Sequence, residues 1–268
     1  NPAAKFIHIG PDPLYQRFPA RGFPSDLTIA GDLDLVLPAL FEATASLARD
    51  DDALRRRRDK LSEESASARE RLRDEAGADT AKGISRAWAS RCLSEALGGR
   101  TSTIFNELGT MLGPLERREH RSWFDAPHSG GLGWGFPAAL GARLADRERT
   151  IVATVGDGSY MFANPTVCHQ VAESLGLPIL VMVINNEEWG AVRRSVAGLY
   201  PEGQAVQANE MPLTALKPSP DFRRTAEASR AWARRISDPA ELRPAIDEAL
   251  GVVDSGRVAV LDVGTLPD

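Results

Sequence analysis

The chain has 268 residues, enough for one large domain or one and a half smaller ones. Its 43% hydrophobic and 26% charged residues make an ordinary soluble globular balance, and a net charge of -5 speaks against a nucleic-acid partner. The longest apolar run, residues 175–184, is interrupted by Gly176 and Pro178 and is too short to span a membrane.

Lys5-Phe6-Ile7-His8-Ile9 reads as a buried strand, stopped by Gly10-Pro11-Asp12-Pro13. A second apolar stretch, residues 27–30, runs into Gly31-Asp32, and Asp32 suits the N-cap of a helix over residues 33–48. Residues 1–49 therefore read as the tail of an α/β domain whose other strands lie elsewhere. Residues 50–81 are charged and alanine-rich, with only a thin apolar stripe through Leu54, Leu61, Ala68 and Leu72. Exposed linking helices compete there with a disordered linker. The block Arg55-Arg56-Arg57-Arg58 follows three aspartates and reads as a solvated face.

From residue 82 to residue 268 the pattern is regular. Helices are expected over residues 84–97, 135–144, 166–175 and 241–253, with Asn164 as an N-cap and Pro165 in the first helical position of the third. Strands are expected over residues 101–105, 151–155, 179–184 and 258–263. Alternating strands and helices imply a parallel, doubly wound α/β sheet, whose ligands sit beyond the carboxyl ends of the strands. Cys92, Cys168 and the four histidines match no zinc spacing, which fits reduced thiols in a cytoplasmic protein.

Gly156-Asp157-Gly158-Ser159 directly follows one buried strand, and Asn185-Asn186 directly follows the next. The two groups should lie one strand spacing apart, roughly 5 Å for neighbours. A carboxylate and a side-chain amide are hard oxygen ligands that suit magnesium, and the glycines let backbone N–H groups approach an anion. Gly133-x-Gly135-x-x-Ala138 fits a relaxed dinucleotide fingerprint, with Asp157 about 20 residues on. That fingerprint needs a strand directly before it, and residues 121–129 do not read as one.

Gly156-Asp157-Gly158, 26 residues and then Asn185-Asn186 resembles the signature of thiamine-diphosphate enzymes. Residues 129–193 are similar to the acetolactate synthase and benzoylformate decarboxylase group, and Ile7-His8-Ile9-Gly10-Pro11-Asp12-Pro13 resembles the end of that group's central domain. The resemblance implies the diphosphate-binding (PP) domain fold. It implies that Asp157 and Asn186 hold Mg2+ through side chains and Glu188 through its backbone carbonyl. Thr110, Gly156, Gly158, Ser159, Trp189 and Gly190 would lie against the diphosphate. Gly130 and Gly131 would cradle the aminopyrimidine, and Leu132 would wedge the cofactor into a bent shape. His128, beside that loop, reads as an acid or base or as a surface histidine.

Where acetolactate synthases carry methionine and tryptophan, this chain has Ala191 and Ser195, which puts strict acetolactate synthesis in doubt. Arg193 would face a substrate carboxylate or the solvent. The resemblance implies decarboxylation or carboligation of 2-keto acids in a homo- or hetero-oligomer. The glutamate acting on the pyrimidine belongs to an N-terminal domain, so an N-terminal pyrimidine-binding domain or subunit is an expected partner. The chain is then expected to be half of a two-subunit enzyme, a piece of a longer one, or a lone module. FAD is left open: no residue indicates it, and most of the central domain that would hold it is expected to lie outside this chain. The competing reading is a non-catalytic module that binds a partner or a nucleotide. An exposed apolar face is expected around Leu132, Trp134 and Phe136.

Overall fold

The computed structural model describes residues 2–19, 22–47, 50–78, 80–125 and 131–267. The chain divides into two compact units, residues 1–64 and 65–268. In the first, strands β1 (Ile7–Gly10) and β2 (Leu27–Ala30) pair in parallel and precede helix α1 (Leu33–Ala45). Asp32 caps α1 as expected, its side chain accepting from Asp34 N. The expectation of a buried opening strand fails: Ile7 is 56% exposed, and α1 buries no residue. Two strands and one helix offer too little surface to cover an apolar face. The unit boundary falls inside α2 (Asp51–Ala78), a single helix with Leu54, Leu61 and Leu72 exposed.

The second unit contains α3 (Arg86–Ala96), β3 (Ser102–Glu107), β4 (Trp123–Asp125), α4 (Gly135–Ala145) and β5 (Thr150–Gly156). Next come α5 (Asp157–Phe162), α6 (Pro165–Ser174), β6 (Leu180–Asn185), α7 (Gly190–Leu199) and α8 (Gln204–Gln207). The unit closes with α9 (Phe222–Glu227), β7 (Trp232–Ile236), α10 (Pro239–Asp254) and β8 (Ala259–Gly264). Its strands form one parallel sheet in the order β4-β3-β5-β6-β8-β7.

Strand β6 explains why the sheet is covered on both faces. Leu180, Met182 and Ile184 enter one core with Leu93 of α3 and Leu250 of α10. Val181 and Val183 enter the other with Phe136 of α4, Ala172 of α6 and Phe222 of α9. The strand period of two divides one apolar run between two layers. Each such fully buried aliphatic side chain contributes about 1.5–3 kcal/mol.

Three details depart from the sequence reading. Asn164 does occupy the N-cap of α6, but with φ 52° and no capping bond from its side chain. Phe136 is fully buried and stacks on Tyr160, so it belongs to the core and not to an exposed apolar face. A short strand, β4, does exist within residues 121–129; it is a three-residue edge strand, too brief to leave an apolar periodicity. Among the described residues no helix is long and apolar enough to cross a membrane.

Candidate functional site

Strands β5 and β6 are hydrogen-bonded neighbours, with Gly156 opposite Ile184. Asp157 and Asn185 thus stand one step further on, side by side at the carboxyl edge of the sheet. The loop 186–188 closes over Asp157, whose carboxylate feels the backbone N–H groups of Glu187 and Glu188. Beyond this edge lies a cavity of about 240 Å³. It is bordered by Asp157, Ser159, Asn186, Glu188, Trp189 and Leu132, with Gly156, Gly158 and Gly190 in its wall.

Asp157 is 4% exposed, and burial raises its pKa to about 6. The backbone N–H groups of Gly158, Glu187 and Glu188 pull in the opposite direction, and Gly158 N donates to Oδ1 at 2.8 Å. Oδ2 is buried with no hydrogen-bond partner, and so is Ser159 Oγ. A buried carboxylate oxygen and a buried hydroxyl left unpaired are costly unless something else binds there. Both residues border the cavity, where a bound ligand would complete these atoms. Among the described residues no three His, Cys, Asp or Glu side chains gather into a metal cage. The donors available here are one carboxylate, one amide and backbone carbonyls, a set that suits Mg2+ carrying phosphate and water oxygens.

The loop after β6 is held from two sides. Asn185 Nδ2 donates to the buried Asp262 of β8 at 2.9 Å, and Asn185 Oδ1 accepts from Glu187 N at 3.2 Å. Asp262 also receives Arg235 at 3.3 Å. On the other side, residues 211–219 pack back onto the loop: Trp189 N donates to Thr214 O at 2.7 Å and Leu216 N to Glu187 O at 2.8 Å. The stretch 200–219 is therefore in part a brace. Glu187 takes φ 57°, a left-handed conformation that is uncommon for a non-glycine residue.

The Glu188 side chain points to this brace, accepting from Thr214 Oγ1 at 3.0 Å and Arg193 Nη1 at 3.3 Å. Its backbone carbonyl accepts from Gly190 N at 2.8 Å and keeps a second lone pair. Trp189 lies over Gly158: a Cβ on Gly158 would come within 2.2 Å of the indole. Trp189 also meets Phe162 edge to face at 5.6 Å.

Several expected residues are placed differently. Arg193 does not border the cavity; its guanidinium is engaged by Glu188 and Asn209. Arg194 and Arg86 do border it, and neither was anticipated. Thr110 is buried, bonding Asn106 Oδ1 at 3.2 Å and Thr154 Oγ1 at 3.0 Å, and it is not in the cavity wall. Gly131 is exposed next to Leu132 and outside that wall. His128 and Gly130 lie outside the described residues. Leu108, Ile184, Ala191 and Val192 complete the apolar lining.

Residues 108–263 match the family model described as thiamine pyrophosphate enzyme, C-terminal TPP binding domain. The chain belongs to this thiamine pyrophosphate enzyme family. The match begins at the end of β3 and ends in β8, so it takes in both loops of the site and the cavity wall from Leu108 to Arg194. The chain is 35% identical over 143 residues to acetolactate synthase isozyme 3 large subunit of Escherichia coli, a stretch covering 53% of this chain and 23% of that protein. It is 31% identical over 125 residues to the probable 2-ketoarginine decarboxylase AruI of Pseudomonas aeruginosa, covering 47% of this chain and 20% of that protein. The chain thus matches about a quarter or less of the length of these relatives. A solved Rhodococcus jostii thiamine diphosphate-dependent 4-hydroxybenzoylformate decarboxylase superposes with a TM-score of 0.59 at 24% identity. That superposition covers 69% of this chain and 33% of the other, and it supports the α/β fold of this family domain.

Proposed function

We propose that this family domain holds the diphosphate end of thiamine diphosphate, with Mg2+, in an enzyme that decarboxylates or joins 2-keto acids. The observation that carries the reading is the pair of buried, unpartnered atoms, Asp157 Oδ2 and Ser159 Oγ, in one cavity wall with Asn186 and Glu188. Asp157 and Asn186 would give side-chain oxygens to Mg2+, and Glu188 its backbone carbonyl. Ser159 would donate its hydroxyl to the diphosphate, with Gly156, Gly158, Trp189 and Gly190 shaping the backbone around it. The N-terminus of α7 has no side-chain cap and sits in the cavity wall at Gly190, which suits an anion. Thr110 would act indirectly, by fixing the turn after β3. Leu132 would press on the cofactor from the opposite wall.

When bound, thiamine diphosphate supplies the electron sink for breaking or making a bond at a keto carbon. The residues here bind, neutralise and orient. The family's pyrimidine-activating glutamate, the second partner domain or subunit and the oligomer it builds belong to the same proposal. So do the 2-keto acid substrate, the cytoplasmic setting, the proximity of His128 and Gly130 to the pyrimidine, and residues 1–49 and 50–81 as domain tail and linker. The test is release of carbon dioxide from a panel of 2-keto acids, by this chain alone and with a pyrimidine-domain partner. Turnover only in the mixture, abolished by Asp157→Ala, is the expected result. Equal turnover by Asp157→Ala would overturn the assignment.

A further inference from the structure

Glu107 is the last residue of β3 and is 5% exposed. Its two carboxylate oxygens accept from two backbone donors: Oε1 from Gly133 N in a short bond, and Oε2 from Gly135 N at 2.7 Å. Both glycines are shaped for this. Gly133 has φ 92°, and a Cβ there would lie 2.6 Å from the Phe162 backbone. A Cβ on Gly135 would lie 3.1 Å from Glu107 Cβ. Trp134, the N-cap of α4, gives no side-chain capping bond. The anion that satisfies the start of α4 therefore comes from a neighbouring strand.

We infer that Glu107 is a positioning residue that locks Leu132 against the cofactor cavity. Leu132 directly precedes the clamped pair of amides, is 38% exposed and borders the cavity shared with Asp157 and Ser159. A carboxylate suits the task because two converging N–H groups need two acceptors. A glutamine would offer one acceptor and set its NH2 against the other N–H. Two charge-assisted bonds hold the backbone at residues 133 and 135, so the side chain at 132 projects from a fixed point. The inference rests on the proposed cofactor site, since Leu132 matters only if the cofactor's organic part lies there.

The test uses the 268-residue chain and Glu107→Gln, titrated with magnesium thiamine diphosphate and with magnesium pyrophosphate. Pyrophosphate reports the Asp157 end only, and thiamine diphosphate reports both ends. Loss of one charged hydrogen bond should weaken thiamine diphosphate roughly tenfold or more. Pyrophosphate should bind the variant as well as the parent, or slightly better with one negative charge removed. The Gly133 and Gly135 amide resonances should move upfield and exchange faster, while those of β5 and β6 stay unchanged. Equal weakening of both ligands would mean a general structural role and overturn the inference; so would unchanged affinities with unchanged amide signals. If neither ligand binds the parent chain, the cofactor reading and the role of Glu107 toward Leu132 fail together, while unchanged amides alone would remove the clamp. Should Glu107→Gln not fold, Gly135→Ala strains the same bond from the other side, and the same ligand split is expected.

Discussion

Asn185 and Asp262 are joined side chain to side chain at 2.9 Å, across the neighbouring parallel strands β6 and β8. Asp262 is 1% exposed, and burial raises its pKa, opposed by the Asn185 bond and by Arg235. This pair turns Asn185 inward, away from the cavity, and leaves Asn186 in its wall. One asparagine of the pair is thus structural; the other borders the cavity, its Oδ1 accepting from Glu188 N at 3.1 Å and keeping a second lone pair for a ligand.

Asp262→Ala should strip Asn185 of its buried acceptor and Arg235 of its buried partner. Arg235 is partly exposed and also reaches Glu187, so the main cost is the buried Asn185 amide left without that acceptor, about 1–3 kcal/mol. Urea unfolding of parent and variant measures it, and a loss under about 1 kcal/mol would mean that water or a neighbour replaces Asp262. Asp262→Asn, which keeps a bond to Asn185, should cost less.

Gly158→Ala should displace Trp189, because its Cβ would stand 2.2 Å from the indole. Weaker binding of magnesium thiamine diphosphate is expected, together with a changed tryptophan emission. Gly141→Ala is the control: it lies inside α4 with nothing within 4 Å of the added carbon. That substitution should raise stability by roughly 0.5–1 kcal/mol.

His169 supplies a pH signature. It is 1% exposed, bonded to Tyr160 Oη at 2.6 Å, and burial lowers its pKa from 6.5 to about 4. The folded state refuses a proton that the unfolded state accepts. The stabilisation is therefore complete above about pH 6.5 and is lost as the pH falls toward 4, by roughly 3 kcal/mol in all. His169→Gln removes this titration. Unfolding free energies measured from pH 4.5 to 7 should show a shallower slope for the variant; identical slopes would mean that His169 titrates normally.

Arg193 and Arg194 should separate cleanly. Arg193→Met breaks the half-buried pair with Glu188, so it should lower stability by about 1 kcal/mol and loosen the loop. Arg194→Met should raise KM for a carboxylate-bearing keto acid about tenfold in the enzyme assembled with its partner. A KM effect from Arg193→Met alone would reverse this reading of α7.

The parts legible in the sequence were those with a local cause. The β-branched runs of β5 and β6 end in Gly-Asp-Gly and Asn-Asn, and their adjacency placed Asp157 beside the Asn185 loop. Strand β7 was missed because Arg234 and Arg235 interrupt its apolar residues at a sheet edge. Arg193 was open to a substrate carboxylate or to solvent; α7 starts at Gly190, and the arginine of its first turns that borders the cavity is Arg194. Thr110 follows a strand as a diphosphate contact should, but its hydroxyl is spent on Asn106 and Thr154. Glu107 reaches residues 26 and 28 positions away, a spacing no local pattern encodes.

The most direct test of the site is calorimetric titration of the chain with thiamine diphosphate, with and without Mg2+, beside Asp157→Ala. Binding by the parent should depend on Mg2+, and Asp157→Ala should remove that dependence while circular dichroism stays unchanged. Binding that ignores Mg2+, or that survives Asp157→Ala at full strength, would contradict the account.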